Sequence, residues 1–271
     1  MTFYIIIRTA FICQIFLLIL GKNILIFFYF RPDMKDVILL PTYNERENVK
    51  LIIPEIFALL PDINVLVIDD SSPDKTAEVV KDLMKGYPNL SILERKVKDG
   101  LGNAYITAMK QVMEDPNIRS VITMDADGSH QPKYLKDFLA NIDNYDLIIG
   151  SRYVPTGGVE NWEFWRKKLS KFGNLYAKVL TGLPINDFTA GFMCISRSYL
   201  RKMDFSDISS AGYSFLIELK FYLIHKYKAR VKEVPIIFAS RREGESKISN
   251  QIISEGVRAP WRLFLKRLWK K

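Results

Sequence analysis

The chain has 271 residues, 48% of them hydrophobic, which is room for one large domain or two small ones around a packed core and too apolar for a disordered segment. Its 39 Lys and Arg against 30 Asp and Glu leave a net charge of +9, concentrated in residues 241–271 (net +6) and 161–182 (net +4). A chain that tracks a nucleic-acid backbone spreads its cations over several elements with stacking aromatics between them, so this clustering argues against nucleic acid and for a membrane surface or a phosphorylated ligand.

Residues 1–33 are almost wholly apolar, yet Arg8 and Lys22 confine the uninterrupted stretch to residues 9–21, short of the roughly 20 residues that span a bilayer. Two readings stand side by side. One is a membrane segment in which Lys22 snorkels or is paired; the other is translation from Met34, with residues 1–33 an artefact of start-site choice. From Lys35 short β-branched runs alternate with amphipathic stretches, the pattern of βαβ units on a mostly parallel sheet. Strands are expected over 37–40, 65–68, 90–94, 121–124 and 147–149. Helices are expected over 47–60, from a Ser72-Pro73 cap to Lys85, over 101–114 and from Pro132. A basic amphipathic segment (161–182), a strand over 192–195, a helix over 215–227 and a strand over 231–237 follow. From Trp261 onward a helical wheel gathers Trp261, Phe264, Leu265, Leu268 and Trp269 on one side and Arg262, Lys266, Arg267, Lys270 and Lys271 on the other, with Leu263 misplaced. This predicts a helix that starts afresh at Pro260 and lies on a membrane surface. The expected organisation is an apolar segment (1–33), an α/β catalytic domain (34–247) and a basic amphipathic helix (248–271).

Two cysteines (Cys13, Cys194) and two histidines (His130, His225) leave no disulfide framework, CxxC metal site or histidine triad to build, and suit a reducing compartment. Carboxylates, Arg and Lys must carry the chemistry. Open α/β sheets collect ligands at the carboxyl ends of their strands, and four strand ends here carry polar clusters: Pro41-Thr42-Tyr43-Asn44-Glu45, Asp69-Asp70-Ser71-Ser72, Asp125-Ala126-Asp127 and Gly150-Ser151-Arg152-Tyr153. Taken singly, Asn44 or Ser72 caps a helix, Asp127 forms an Asx turn and Arg152 pairs with a neighbouring carboxylate. Their convergence on one sheet edge favours a site. Asp125 and Asp127 project from one strand end, where their repulsion is relieved by an oxygen-seeking divalent cation, Mg²⁺ or Mn²⁺, bridging to a diphosphate.

In order and spacing, Pro-Thr-Tyr-Asn-Glu (41–45), Ile-Asp-Asp-Ser-Ser-Pro-Asp (68–74), Gly-Leu-Gly (100–102), Met-Asp-Ala-Asp-Gly-Ser-His-Gln-Pro (124–132), Gly-Ser-Arg-Tyr (150–153) and Gly-Glu-Ser-Lys (244–247) resemble the GT-A inverting glycosyltransferases of family 2. Gly-Gly-Val-Glu-Asn-Trp (157–162) with Arg166 and Ser170, and Arg241 ahead of Gly-Glu-Ser-Lys, resemble most the dolichol-phosphate (polyprenol monophosphate) mannosyltransferases within it. The resemblance implies transfer of mannose from GDP-mannose to a polyprenyl monophosphate, with inversion, at the cytoplasmic face of a membrane. It implies that Pro41, Tyr43, Glu45, Ile68 and Asp70 hold the nucleoside. Asp125, Ala126 and Asp127 then hold the ribose, the diphosphate and the metal. Arg152, Arg241 and Lys247 surround the phosphates, with Asp127 and Arg152 central to catalysis, and Arg166 and Ser170 receive the lipid phosphate. Ser129 stands where some relatives place a metal-contacting Gln, so water replaces a third protein ligand; Asp-Phe-Thr-Ala-Gly-Phe (187–192) resembles the acceptor-site floor. A lipid phosphate is already an anion and scarcely needs a general base, which suits a chain with two histidines. Lys167, Lys168 and Lys171 read as exposed helical charges. The competing readings are a sister enzyme moving glucose or an aminosugar from a UDP donor, and an inactive membrane-tethered scaffold; a dinucleotide site lacks its GxGxxG after the first strand.

Overall fold

The computed structural model describes residues 3–8, 13–20, 23–30, 34–242 and 250–269, with side chains over 34–242 and 254–268. Strands β1 (Phe3–Arg8), β2 (Cys13–Leu20) and β3 (Asn23–Phe30) form an antiparallel sheet of their own. No helix among the described residues is long and apolar enough to cross a membrane.

A seven-stranded sheet carries the rest. Its strands are β4 (Lys35–Thr42), β5 (Asn64–Asp69), β6 (Leu90–Glu94), β7 (Ile118–Thr123), β8 (Leu147–Ser151), β10 (Met193–Ser196) and β11 (Val231–Pro235), in the order β11-β8-β10-β7-β4-β5-β6. All run parallel except β10, which is antiparallel to both neighbours. The runs Val-Ile-Leu-Leu in β4 and Val-Leu-Val-Ile in β5 are continuous because both faces of a parallel sheet are covered. Successive side chains nevertheless part company. Ile38, Leu40, Val65 and Val67 enter a core under α1 (Arg46–Leu59) and α4 (Leu135–Asn141), while Val37, Leu39, Leu66 and Ile68 enter a second core under α3 (Leu101–Val112) and α7 (Phe215–Phe221). Strand order reverses between β4 and β7, so a crevice opens at their carboxyl ends.

Several element boundaries differ from the sequence reading, among them those of three helices. Helix α2 runs Thr76–Leu83, not from Ser72, because the Asp69 carboxylate accepts from the Ser72 N–H (2.9 Å) and hydroxyl (2.6 Å), and Asp74 takes the Thr76 N–H (3.0 Å) instead. The helix from Phe215 ends as α7 at Phe221 and widens into a π turn over Tyr222–Lys226. Helix α8 (Asn250–Trp269) runs through Pro260 instead of starting there. Helix α5 (Phe164–Thr181), closed by Gly182 in the left-handed conformation, fills the basic amphipathic segment and packs along α8. Two short strands unseen in the sequence, β9 (Gly158–Val159) and β12 (Ile237–Phe238), pair beside the crevice.

Candidate active site

The ends of β4 and β5 are tied by one carboxylate. Asp69, 2% exposed, accepts from the Thr42 hydroxyl (3.0 Å) and from Ser72, whose hydroxyl oxygen accepts the Asn44 N–H (3.1 Å). Asn44 and Ser71 sit at positive φ (59° and 56°), conformations that short polar side chains tolerate. This scaffold presents Asp70, which accepts from Arg95 (2.7 Å), and Arg95 also donates to Asp99. Burial raises the Asp70 pKa against the pull of Arg95. Tyr43 lies under the Lys98 ammonium, 3.3 Å from its ring centroid, and the Glu45 carboxylate accepts from Asn48 (2.6 Å). Pro41 is half-buried beside them. Ile68 is fully buried in the sheet and meets this group only through its carbonyl, which accepts from Thr42 (3.3 Å).

At the end of β7 the chain turns sharply. The Asp127 carboxylate, 3% exposed, accepts from the Ser129 N–H (2.9 Å) and hydroxyl (2.5 Å) across Gly128 at φ 80° and pairs with Arg241 (3.2 Å). Ala126 between the two acids is buried. The Asp125 N–H donates to His130 Nδ1 (2.9 Å), so the neutral imidazole carries its proton on Nε2; burial lowers its pKa and keeps it neutral. His130 stacks on Phe192 (centroids 4.9 Å apart), which fixes the ring behind Asp125.

Arg152, at the end of β8, is 8% exposed and donates from Nε and Nη2 to Asp187 (both 2.7 Å) and from Nη2 to Thr189 (2.7 Å). Asp187 is fully buried; burial alone would raise its pKa, but Arg152 outweighs that and the carboxyl stays below its ordinary range. Arg166 lies over the Trp162 ring at 4.1 Å, and its buried Nε finds no hydrogen-bond partner among the described residues. Burial, then repulsion from Arg241 and Arg152, lowers its pKa. The Ser170 hydroxyl, one turn along α5, accepts from Tyr153 (2.6 Å).

Asp125, Arg152, Arg166, Ser170 and Arg241 line one cavity of about 550 Å³, whose other walls are largely apolar and come from α3, α5, α7, α8, the 189–191 loop and the Ile236–Phe238 segment. Pro41, Tyr43, Glu45 and Asp70 are not in its walls; they occupy the adjoining β4–β5 edge, with Asp127 behind Asp125. Lys247 and the rest of Gly-Glu-Ser-Lys lie outside the described residues. Residues the sequence left without a role are Asp187 and Thr189, which fix Arg152, His130, which fixes the Asp125 turn, and Trp162, which carries Arg166. For the first pair the one available signal was a buried-type Asp-x-Thr in a chain whose Arg152 needed a counter-charge.

Residues 37–204 match the family described as Glycosyl transferase family 2. The undecaprenyl-phosphate mannosyltransferase of Micrococcus luteus is 40% identical over 83% of this chain and 91% of its own. The polyprenol monophosphomannose synthase of Mycolicibacterium smegmatis is 40% identical over 84% and 86%. In fold the chain is similar to glucosyl-3-phosphoglycerate synthase from Mycobacterium tuberculosis, solved with Mn²⁺, uridine diphosphate and phosphoglyceric acid: TM-score 0.61, 16% identity, 86% of this chain and 78% of that one. The parallel sheet with its single reversed strand, the acid pair at its switch point and these likenesses make the chain a glycosyltransferase that belongs to glycosyl transferase family 2, in the group of the polyprenyl-phosphate and dolichol-phosphate mannosyltransferases.

Proposed function

We propose that the chain transfers mannose from GDP-mannose to a polyprenyl monophosphate, with inversion, while bound peripherally at the cytoplasmic face of a membrane. One observation carries the reading: three guanidinium groups, Arg152, Arg166 and Arg241, line the same largely apolar cavity, and burial, then repulsion from the other two, depresses the pKa of Arg166. Cations that repel each other around one point are stabilised by an anion there, and the apolar walls suit a hydrocarbon tail behind it. The relatives named for undecaprenyl-phosphate and polyprenol substrates agree.

Asp125 and Asp127 suit a divalent metal, Mg²⁺ or Mn²⁺. No group of three or more metal-ligating side chains occurs among the described residues, and two carboxylates completed by diphosphate oxygens and water are the set a hard cation of this kind takes. When bound, such an ion offsets the charge that develops on the departing diphosphate. The chain's own residues do the rest. Arg241, already on Asp127, neutralises the diphosphate from the other side; Arg166 and Ser170 receive the acceptor phosphate; Arg152, held by Asp187, screens the repulsion between the two anions and orients both. Attack by the acceptor oxygen from the face opposite the leaving diphosphate inverts the anomeric carbon. His130, buried and neutral behind Asp125, shapes the turn rather than moving a proton.

A donor panel tests the reading. With a polyprenyl phosphate acceptor, label should enter lipid from GDP-mannose and not from UDP-glucose or UDP-N-acetylglucosamine. Entry from a UDP-sugar alone would reassign the donor, and entry from none would leave an inactive scaffold.

A further inference from the structure

The hydroxyl hydrogen of Ser170 has no acceptor among the described residues. Ser170 sits half-buried in the cavity wall, one turn after Arg166 on α5, and its Oγ accepts the phenolic hydrogen of Tyr153 (2.6 Å). A hydroxyl carries one hydrogen and two lone pairs, and a serine or threonine inside a helix commonly spends that hydrogen on the carbonyl four residues back. The Thr181 hydroxyl on the same helix does so, donating to the Ala177 carbonyl (2.7 Å). Ser170 makes no such bond to the Arg166 carbonyl, so its hydrogen is left for a partner that the protein does not supply.

The direction of the Tyr153 bond decides what Ser170 can bind. Were Ser170 the donor, only its lone pairs would remain for a ligand, and they repel a phosphate oxygen. With Tyr153 as donor, one Ser170 lone pair is filled and the hydrogen stays available, which is the polarity a phosphate requires. Two hydrogen bonds in such a chain strengthen each other. Tyr153 itself follows β8 and is not in the cavity wall. Its ring lies 5.4 Å from the Arg152 guanidinium carbon, which holds the phenol in place, and burial, against the pull of Arg152, raises the phenol's pKa so that it keeps its hydrogen. We propose that Tyr153 is a positioning residue of the acceptor site: by donating to Ser170 Oγ it leaves the Ser170 hydrogen to the acceptor phosphate beside Arg166. This rests on the glycosyl-transfer reading above and adds the group that sets the polarity of Ser170.

The test is Tyr153→Phe, which removes one oxygen and keeps the ring beside Arg152. At saturating GDP-mannose its KM for polyprenyl phosphate should rise roughly three- to tenfold, the size of one hydrogen bond, with kcat and the KM for GDP-mannose at the parent values. Ser170→Ala should raise the same KM at least as much. Adding Tyr153→Phe to Ser170→Ala should change nothing further, because the phenol then has no hydroxyl to act through. A tie that merely joins β8 to α5 would instead lower kcat, shift both KM values and add its effect to that of Ser170→Ala, and any of these results overturns the inference. A Tyr153→Phe enzyme with the parent's acceptor KM, beside an impaired Ser170→Ala, overturns this inference alone. An unimpaired Ser170→Ala removes Ser170 from the acceptor phosphate and the inference with it, and a parent that transfers sugar from no nucleotide donor overturns the reading beneath both.

Discussion

Lys220 lies on α7 behind the 187–190 loop, fully buried, with Nζ donating to the carbonyls of Phe188 (2.9 Å) and Ala190 (2.7 Å). The same loop is gripped from β11 by Glu233, which accepts the Asn186 and Asp187 N–H groups (3.0 Å each), and from α5 by Asn174, which accepts the Phe188 N–H (2.6 Å). Side chains from three elements thus replace the secondary structure the loop lacks, and Asp187 and Thr189 reach Arg152 from a rigid base. Burial brings the Lys220 pKa down to about 7, with Asp187 and Glu233 opposing and Arg152 reinforcing the shift. The folded-state value lies below the unfolded one, so the cost of burying the ammonium is fully present below pH 7. It is relieved as pH rises from about 7 towards the unfolded value. The parent should therefore gain stability relative to Lys220→Met between pH 7 and 10, by a few kcal/mol at most, as measured by urea unfolding at each pH. A pH-independent difference between the two proteins would show that the amine is not titrating there. None of this network was legible in the sequence: Arg152 and Asp187 are 35 residues apart, and only the folded sheet makes them partners. The acid pair was legible because Asp125 directly follows the apolar strand run ending at Met124 and Asp127 comes two residues after it.

At the scale of elements, three residues of the apolar stripe drawn from Trp261, namely Trp261, Leu265 and Leu268, stand outward, while the wheel misread the helix's anchor. Leu263, the misfit, is the residue fully buried in the core, with Ala259 one turn before it. Arg262 turns inward to the buried Glu218, and Lys266 donates to Tyr222 (2.7 Å), so two of the cations assigned to a membrane face hold the helix to α7. What remains outward is apolar: Trp261, Leu265 and Leu268 on α8, and Phe164, Trp165, Phe172, Leu175 and Val179 on α5, all exposed. Lys167, Lys168 and Lys171 stand among them, exposed as the sequence suggested. A surface this apolar on two packed helices, with cations alongside and a lipid-shaped cavity between them, fits the headgroup layer of a bilayer. Cutting the chain at Arg258 would strip Leu263 from the core and leave Glu218 buried without its guanidinium, so outward substitutions isolate the surface better. Trp261→Glu with Leu265→Glu should keep the far-UV spectrum and lose most binding to anionic liposomes in sedimentation, and raised salt should weaken the parent's binding. Pelleting of the double variant at the parent level would remove α8 from the membrane face. Most strands and helices were readable from periodicity, whereas the α2 cap and the α8 start were not, since the Asp69 carboxylate takes the Ser72 N–H and a proline that reads as a helix start lies inside α8.

In the reaction proposed above, the donor and the acceptor approach from different sides of one sheet edge. The β4–β5 end offers Tyr43 and Asp70 for a nucleoside, while the cavity between α5, α7 and α8 offers its apolar walls to a lipid, and the β7 end lies between them. Asp127 is the link: it is 3% exposed, braced by Ser129, and holds Arg241, a residue of the cavity wall. In the proposed complex a nucleoside diphosphate adds contacts to this sheet edge, which the free protein already joins through Arg241 on the Asp127 carboxylate and the Arg242 N–H on the Asp127 carbonyl (3.1 Å). Binding at a hundredfold excess over Kd is worth about 2.7 kcal/mol of stability, which for a domain of this size is about 5–10 °C in Tm. GDP with Mn²⁺ or Mg²⁺ should produce that rise, EDTA should cancel it, and Asp127→Ala should fold yet show neither the rise nor transfer, because its carboxylate would help hold the ion and pairs with Arg241. Differential scanning fluorimetry reads all three. An equal rise from GDP in the presence of EDTA would mean that Arg241 and its neighbours hold the diphosphate unaided, and the two carboxylates would then have to be explained as the counter-charge of that arginine rather than as a metal site.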